Sequence, residues 1–448
     1  MAHGAAHNSA RPEGVDEHTR WNFAVIAAES TFFQTGLAWA DPVAVLPLFV
    51  GRLSPSTVLV GLVTVLQRLG YILPQLPMAA ILGHRPRRLP YLRWGVFLGR
   101  LPFIAFVVYL WVAGVGNPSA VLAFMMVGYF CTAAGNGVVA VPWQDIIAKS
   151  IPSFLRGRFF ATMTFATAVG SLGIGFVVRW MLGPQGPGFP RDYTVLFTMM
   201  AVFISLSTLG CGITREPIRP VLERPQSLRE ILASAVPLLR HTAGFRGLVL
   251  ISLFASGMSW TTPFYVVYAT RKLGVPQELA GVYIWASVLG GASFSLLWGH
   301  LNDRRGPLAV LRYGSAFVVA APLTAITIPA LMRLLGAAYP EALRALPYAY
   351  ALVFVIGGAT TGALWMGATN YLFELADHPD RPRYIALLNL FSLPGALFPL
   401  LIGYLLNLLP YPLVFGLISA SGLAATLVSR GMPRLGAGNA NSSRLPAT

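Results

Sequence analysis

The sequence predicts an all-α integral membrane protein: twelve transmembrane helices in two pseudo-symmetric six-helix bundles, with both termini cytoplasmic. Three observations carry this. Of 448 residues, 55% are apolar and only 11% charged, against about 25% charged in a soluble domain. The apolar residues come in long runs rather than helix-period stripes, and roughly 20 such residues cross a hydrocarbon core. The chain also echoes itself three times in the same order. Gly36-Leu-Ala-Trp39-Ala-Asp-Pro42 matches Gly257-Met-Ser-Trp260-Thr-Thr-Pro263. The stretch 83–95, GHRPRRLPYLRWG, matches 299–314, GHLNDRRGPLAVLRYG. Arg158-Phe-Phe-Ala161 with Gly170 matches Arg383-Tyr-Ile-Ala386 with Gly395. The repeat is ~220 residues long, and a duplicated membrane protein is most often a transporter.

The elements follow in order. Residues 1–20 hold His, Arg, Glu and Asp with no apolar core, so they read as a cytoplasmic tail rather than a cleaved leader. Six runs at 22–50, 57–82, 92–115, 119–147, 159–183 and 193–213 build the first bundle, 21–213. Pro42 inside the first run removes a backbone hydrogen bond and kinks the axis. Pro263 predicts the same break in span seven. Residues 214–246 are the longest polar stretch and read as a cytoplasmic linker. Its short amphipathic piece, 227–239, opens on Ser227 with Glu230 three residues later, which resembles a capping box. Six further runs at 247–270, 280–299, 308–332, 347–375, 384–407 and 411–429 build the second bundle, 247–430. The Gly-, Asn- and Ser-rich residues 431–448 read as a disordered tail. Loops such as Gly116-Asn-Pro-Ser119 and Pro410-Tyr-Pro412 leave no room for a soluble catalytic domain.

The net charge of +16 invites a nucleic-acid reading, which its placement argues against. With the N-terminus inside and the runs alternating, about three times as many Lys and Arg fall on the cytoplasmic side as outside, the positive-inside pattern. The basic set is 30 Arg against 2 Lys, a hint of a GC-rich bacterial source and hence of a bacterial cytoplasmic membrane. Cys131 and Cys211 both lie within apolar runs, so neither a disulfide framework nor a zinc pattern arises. No cofactor motif is present. The sequence lacks a Walker loop, which argues against direct drive by ATP. All seven histidines fall in tails or loops, so no intramembrane His-Asp or His-Cys set argues for an enzyme.

The loop Gly299-His-Leu-Asn-Asp303-Arg304-Arg305-Gly306 resembles the signature loop of the major facilitator superfamily, Gly-x-Leu-x-Asp-Arg-x-Gly at the cytoplasmic end of the second helix of each half. The duplicated twelve-span plan and long central linker resemble that family across nearly the whole chain. The resemblance implies that Asp303 helps lock one conformation, while Arg304 and Arg305 face lipid headgroups. The first-half copy keeps Gly83 and His84 but loses the Asp and three residues of loop. Asp145 to Lys149, followed by Arg156-Gly-Arg158, resembles the family's stretch between helices four and five, with Asp145 set to pair with that Arg cluster. The family's antiporter signature, Gly-Pro-x-x-Gly-Gly, is absent from residues 170–175.

Four ionisable residues lie inside first-half runs: Glu29, Asp41, Arg68 and Arg100. Each such charge costs at least ~2.5 kcal/mol to insert, so it faces a partner or a watery cavity. From the ~1.5 Å rise per residue, Asp41 and Arg68 share one depth and Glu29 and Arg100 another, which makes two ion pairs geometrically possible. The repeat mate of Asp41 is Thr262, so the scaffold itself does not require a carboxylate there. Asp41 with Arg68 is therefore the candidate proton-coupling or substrate-charge site; the bland reading is a permanent structural bridge. The resemblance places spans one, four, seven and ten around a central cavity. Their polar residues Gln34, Asn136, Trp260, Thr261, Tyr265, Trp365 and Asn370 are candidate solute contacts, although Trp39 and Trp260 share a repeat position and also suit scaffold packing.

The expectation is a monomeric secondary active transporter of a small solute, working by alternating access, with proton coupling and facilitated diffusion both open. Drug or lipid efflux on the same fold is the alternative, and a transport-dead sensor the remote one.

Overall fold

The computed structural model describes residues 17–83, 85–217, 228–376 and 381–434. The tail at 1–16, the 218–227 stretch with Ser227 of the capping box, and the tail from 435 lie outside it. The first bundle comprises α1 (Glu17–Trp39), α2 (Val45–Leu53), α3 (Thr57–Ile72), α4 (Gln75–Gly83), α5 (Leu89–Ala113), α6 (Pro118–Ser150), α7 (Ser153–Met181) and α8 (Arg191–Ile213). Short helices α9 (Leu228–Ala233) and α10 (Ala235–His241) end the linker. The second bundle comprises α11 (Ala243–Lys272), α12 (Ala280–Arg305), α13 (Pro307–Ala338), α14 (Ala342–Ala349), α15 (Leu352–Leu375), α16 (Arg381–Ser392), α17 (Phe398–Leu408) and α18 (Tyr411–Gly431). No strand occurs among the described residues.

All twelve apolar runs fall on helix. Nine described helices are long and apolar enough to cross a bilayer, and α10 with the start of α11, bent by 102°, qualifies when taken together. Runs one and two are split into shorter helices. Run two is interrupted at Leu73-Pro74, where proline cannot donate.

Span one breaks more completely than a proline kink. Helix α1 stops at Trp39 and α2 starts at Val45. The Asp41 carboxylate accepts the backbone N–H of Val43 at 2.9 Å and of Ala44 at 2.7 Å, so its short side chain replaces helical acceptors and stabilises the gap. Span seven corrects the sequence expectation, because α11 runs unbroken through Pro263. The physical difference is the carboxylate: Thr262 offers only a hydroxyl where Asp41 captures two N–H groups.

The bundles are apolar outside as well as inside. Trp94, Phe97, Leu98, Val108, Trp111 and Val112 leave one exposed apolar stripe along α5. Contiguous exposed apolar surface of this kind is rare on soluble monomers and natural where lipid is the solvent.

Candidate functional site

The two bundles meet along two seams. One joins α7 to α12, the other α3 to α17. At the first, Trp285 Nε1 donates to Leu172 O at 2.7 Å, and a Cβ on Gly175 or Gly281 would overlap the facing helix. At the second, a Cβ on Gly61 would overlap the Pro399 carbonyl, and one on Gly403 would press on Thr57 O. Thr57 Oγ1 lies 2.6 Å from Gly403 O and 2.7 Å from Asn407 Oδ1. Backbones this close need glycine, as in other tightly crossed membrane helices.

Beside the second seam, Arg271 at the end of α11 donates to Pro55 O (2.7 Å), Ser54 O (2.9 Å) and Gly51 O (3.2 Å). A cation there also complements the C-terminal dipole of α2. Arg52 Nε reaches Gln277 Oε1 at 3.0 Å. Among the described residues, the hydrogen bonds that join the bundles gather toward this one end, which carries the loops at 54–56, 182–190, 273–276 and 409–410. Sequence reading missed these residues. Arg271 counts there as one more loop charge, and the glycines are indistinguishable from ordinary packing glycines.

Within the first bundle the buried charges do not pair as sequence depth suggests. Asp41 is occupied by backbone N–H groups, and among the described residues no ion pair joins it to Arg68, which sits half-buried on α3. Glu29 and Arg100 are both buried, and Ser207 connects them. Ser207 Oγ donates to Glu29 Oε1 at 2.6 Å and accepts from Arg100 Nη2 at 3.2 Å. Trp143 Nε1 and Ser30 Oγ donate to Glu29 Oε2 at 3.2 and 3.1 Å. Arg100 Nη1 also donates to Ile204 O and Thr208 Oγ1, and the guanidinium lies over Phe33 at 5.6 Å. One polar network thus ties α1, α5, α6 and α8.

The capping role of Asp41 gives a direct expectation. Asp41→Ala should lower stability by about 1 kcal/mol, the usual value of a lost cap. Asp41→Asn keeps an acceptor oxygen and should unfold near the wild-type temperature. Equal losses in both variants, by thermal unfolding, would show that charge rather than capping holds this break.

The proposed polar wall separates into groups. Gln34 and Trp365 are exposed, and Asn136 is half-buried on α6. Thr261 and Tyr265 are enclosed in the second bundle, with Tyr265 edge-on to Phe415 at 5.0 Å. Asn370 Nδ2 donates to Asn302 Oδ1 at 3.2 Å, inside the signature-loop region. The Trp260 side chain lies outside the described residues.

The lock residues rearrange the sequence picture. Asp145 pairs with Arg88 at 3.0 Å and Lys149 at 2.6 Å, not with the Arg156 cluster. Arg156 instead donates to Ala148 O and Ile151 O, finishing the end of α6, and Arg158 is exposed. The preference has a geometric cause: Arg156 is folded back onto the last turn of its neighbouring helix, where unpaired carbonyls attract a cation. So the first-half loop, despite losing its Asp, is anchored after all. Glu216 in the linker completes the anchor by accepting the N–H of Arg88 and Leu89 at 2.8 to 2.9 Å and approaching Lys149 at 3.6 Å. Asp303, Arg304 and Arg305 in the second half are exposed. Among the described residues no ion pair includes Asp303.

A sequence profile described as Major Facilitator Superfamily matches residues 30–340. No curated protein matches the sequence. Solved structures share the fold at low identity. A variant of the nucleoside transporter NupG superposes with a TM-score of 0.69 at 10% identity, covering 92% of this chain and 100% of its own. A D-xylose-proton symporter gives 0.65 at 15% identity, covering 93% and 98%. A bacterial homologue of the human lysosomal transporter Spinster, inward-facing and unoccupied, gives 0.63 at 15% identity, covering 94% and 98%.

Proposed function

The chain belongs to the major facilitator superfamily, and from that premise we propose that it is a secondary active transporter moving a small solute across a bacterial cytoplasmic membrane by alternating access. The protein acts as a monomer, with twelve spans, both termini in the cytoplasm and no cofactor. The observation that carries the reading is the one-sided closure. Arg271, the Thr57–Gly403 contact and the glycine seams clamp the bundles at the end opposite the basic loops. Bundles held together at one end are what one half of an alternating-access cycle requires. The exposed Asp303 fits the same state, since by family resemblance its loop locks the opposite one.

The solute lies between spans one, four, seven and ten. Gln34 and Trp365 are the exposed candidates for its walls, and Asn136 is half-buried. Trp365 supplies a flat apolar face with one N–H handle. Proton coupling rests on the first bundle. Asp41 with Arg68 is one option. The geometry favours Glu29, whose carboxylate is linked through Ser207 to Arg100 and through Trp143 to span four, so a proton there would alter contacts between helices.

The test uses purified protein in proteoliposomes with a pH gradient and a panel of labelled metabolites. Accumulation that collapses when the gradient is dissipated supports proton-driven transport. Equilibration that ignores the gradient assigns facilitated diffusion. No movement of any solute, alongside spin-label distances that never change, would sink the transporter reading.

A further inference from the structure

The two halves finish the same structural corner in different ways. In the first, Arg93 Nη2 donates to Gly212 O at the end of α8. In the second, its repeat mate Arg312 donates to Ser429 O and Arg430 O, both at 3.1 Å, at the end of α18. Past that contact the chains run Gly212-Ile-Thr-Arg215-Glu216 and Gly431-Met-Pro-Arg434-Leu435. Glu216 is the carboxylate that accepts the backbone N–H groups of Arg88 and Leu89 at the start of α5 and approaches the Lys149 ammonium at 3.6 Å. Its repeat mate is a leucine, which has no acceptor.

The second-half corner is a cavity rather than a filled site. It measures about 680 Å³ and opens at the start of α13, between the ends of α15 and α18. Arg305, Arg312, Arg430 and Arg434 line it, with Glu374 the single carboxylate among its lining residues. Helix α13 enters it at Gly306, whose backbone makes the N-cap without a side-chain acceptor. Tyr371 donates its hydroxyl to Pro433 O at 2.9 Å, which fixes the segment leading to Arg434.

We propose that this cavity is a binding site for a phosphate-bearing anion, which takes the place that Glu216 fills in the first half. The argument is one of compensation. Two copies of one corner share the arginine and its carbonyl contacts, but one has an internal carboxylate and the other, among the described residues, has four arginines and one carboxylate around a cavity. Guanidinium forks are suited to phosphate oxygens, and since Pro307 at the start of α13 has no N–H, the arginines carry the recognition. Among the described residues, the four arginines of the cavity face Glu374 as the one carboxylate. The volume accommodates a phosphodiester headgroup as readily as free phosphate. The corner also lies at the end with the basic loops, where anionic lipid headgroups would meet it.

The experiment uses full-length protein in neutral detergent. Inorganic phosphate is titrated in one arm and short-chain phosphatidylglycerol in another, with zwitterionic, net-neutral phosphatidylcholine as the control that keeps the phosphodiester but not the net negative charge. Binding is read by thermal shift and by native mass spectrometry. The expected result is saturable binding of phosphatidylglycerol over phosphatidylcholine, weakened about tenfold or more in Arg430→Gln/Arg434→Gln. Both are exposed positions, so folding should survive. Arg344→Gln, an exposed arginine elsewhere, should leave binding unchanged. Saturable binding of phosphate alone, lost in the same double variant, assigns free phosphate as the occupant. Binding of neither, or equal loss in Arg344→Gln, overturns the site. The readout needs no transport, so it stands or falls separately from the solute reading.

Discussion

Gly61→Leu should abolish transport while leaving a folded protein. The carbonyl of Pro399 occupies the space a Cβ at Gly61 would need, so even alanine collides with backbone that has no rotamer to yield. Overpacking a close contact costs about 1–3 kcal/mol. In the proposed alternating-access cycle this contact exists only while the seam is shut, so the cost falls on one conformation. At ~1.4 kcal/mol per tenfold, the ratio of closed to open seam drops by about 5- to 150-fold. The measurement is the distance between spin labels at Ser56→Cys and Pro276→Cys, on opposite bundles at the clamped end, in a background lacking Cys131 and Cys211. The distribution should lengthen in Gly61→Leu and in Gly281→Val. Gly416→Leu, where a Cβ meets nothing within 4 Å, is the control and should not change it. Unchanged distances with normal transport in Gly61→Leu would show that closing this seam is not part of the cycle.

Arg100→Leu should be the most destabilising single change in the first bundle. It strands the Glu29 carboxylate in an apolar core with the Ser207, Ser30 and Trp143 contacts but no cation. Removing one partner of a buried charge pair costs about 3–5 kcal/mol. Adding Glu29→Gln to Arg100→Leu should restore much of that loss, a coupling of about 1–3 kcal/mol in a double-mutant cycle. Additive losses would mean that Ser207 does not connect the two charges energetically. The single Glu29→Gln carries the functional arm. If Glu29 is the coupling carboxylate, this variant retains solute exchange across equal pH and loses accumulation driven by a proton gradient. Retained gradient-driven accumulation would move coupling to Asp41 or elsewhere.

The contrast between these charges explains where sequence reasoning reached its limit. Depth along a helix predicts which charges share a layer of the membrane, and Glu29 with Arg100 do come close. It cannot predict that a serine from α8 lies between them, because Ser207 enters from a helix 178 residues away. Asp41 shows a second limit. A carboxylate beside a proline inside an apolar run looks like a coupling acid, yet local backbone N–H groups hold it. The matching Pro263 kept its helix intact, so proline alone does not decide whether a span breaks. Glu216 was invisible for another reason. It sits in a polar linker among other charges, and its repeat mate is leucine, so neither composition nor repetition marks it.

The sequence by itself determined the solvent, the run lengths and the duplication. These are properties of composition and period, and they suffice to specify an all-helical membrane fold. It also marked the signature loop, because that motif is contiguous. Only the tertiary structure decided which end of the molecule is clamped, that Asp145 belongs to Arg88, that Arg271 reaches three carbonyls of the other bundle, and that one corner of the repeat is filled while its mate is open. Each of these depends on groups 57 to 350 residues apart meeting within hydrogen-bond distance. Such meetings are set by helix packing, which no local pattern encodes.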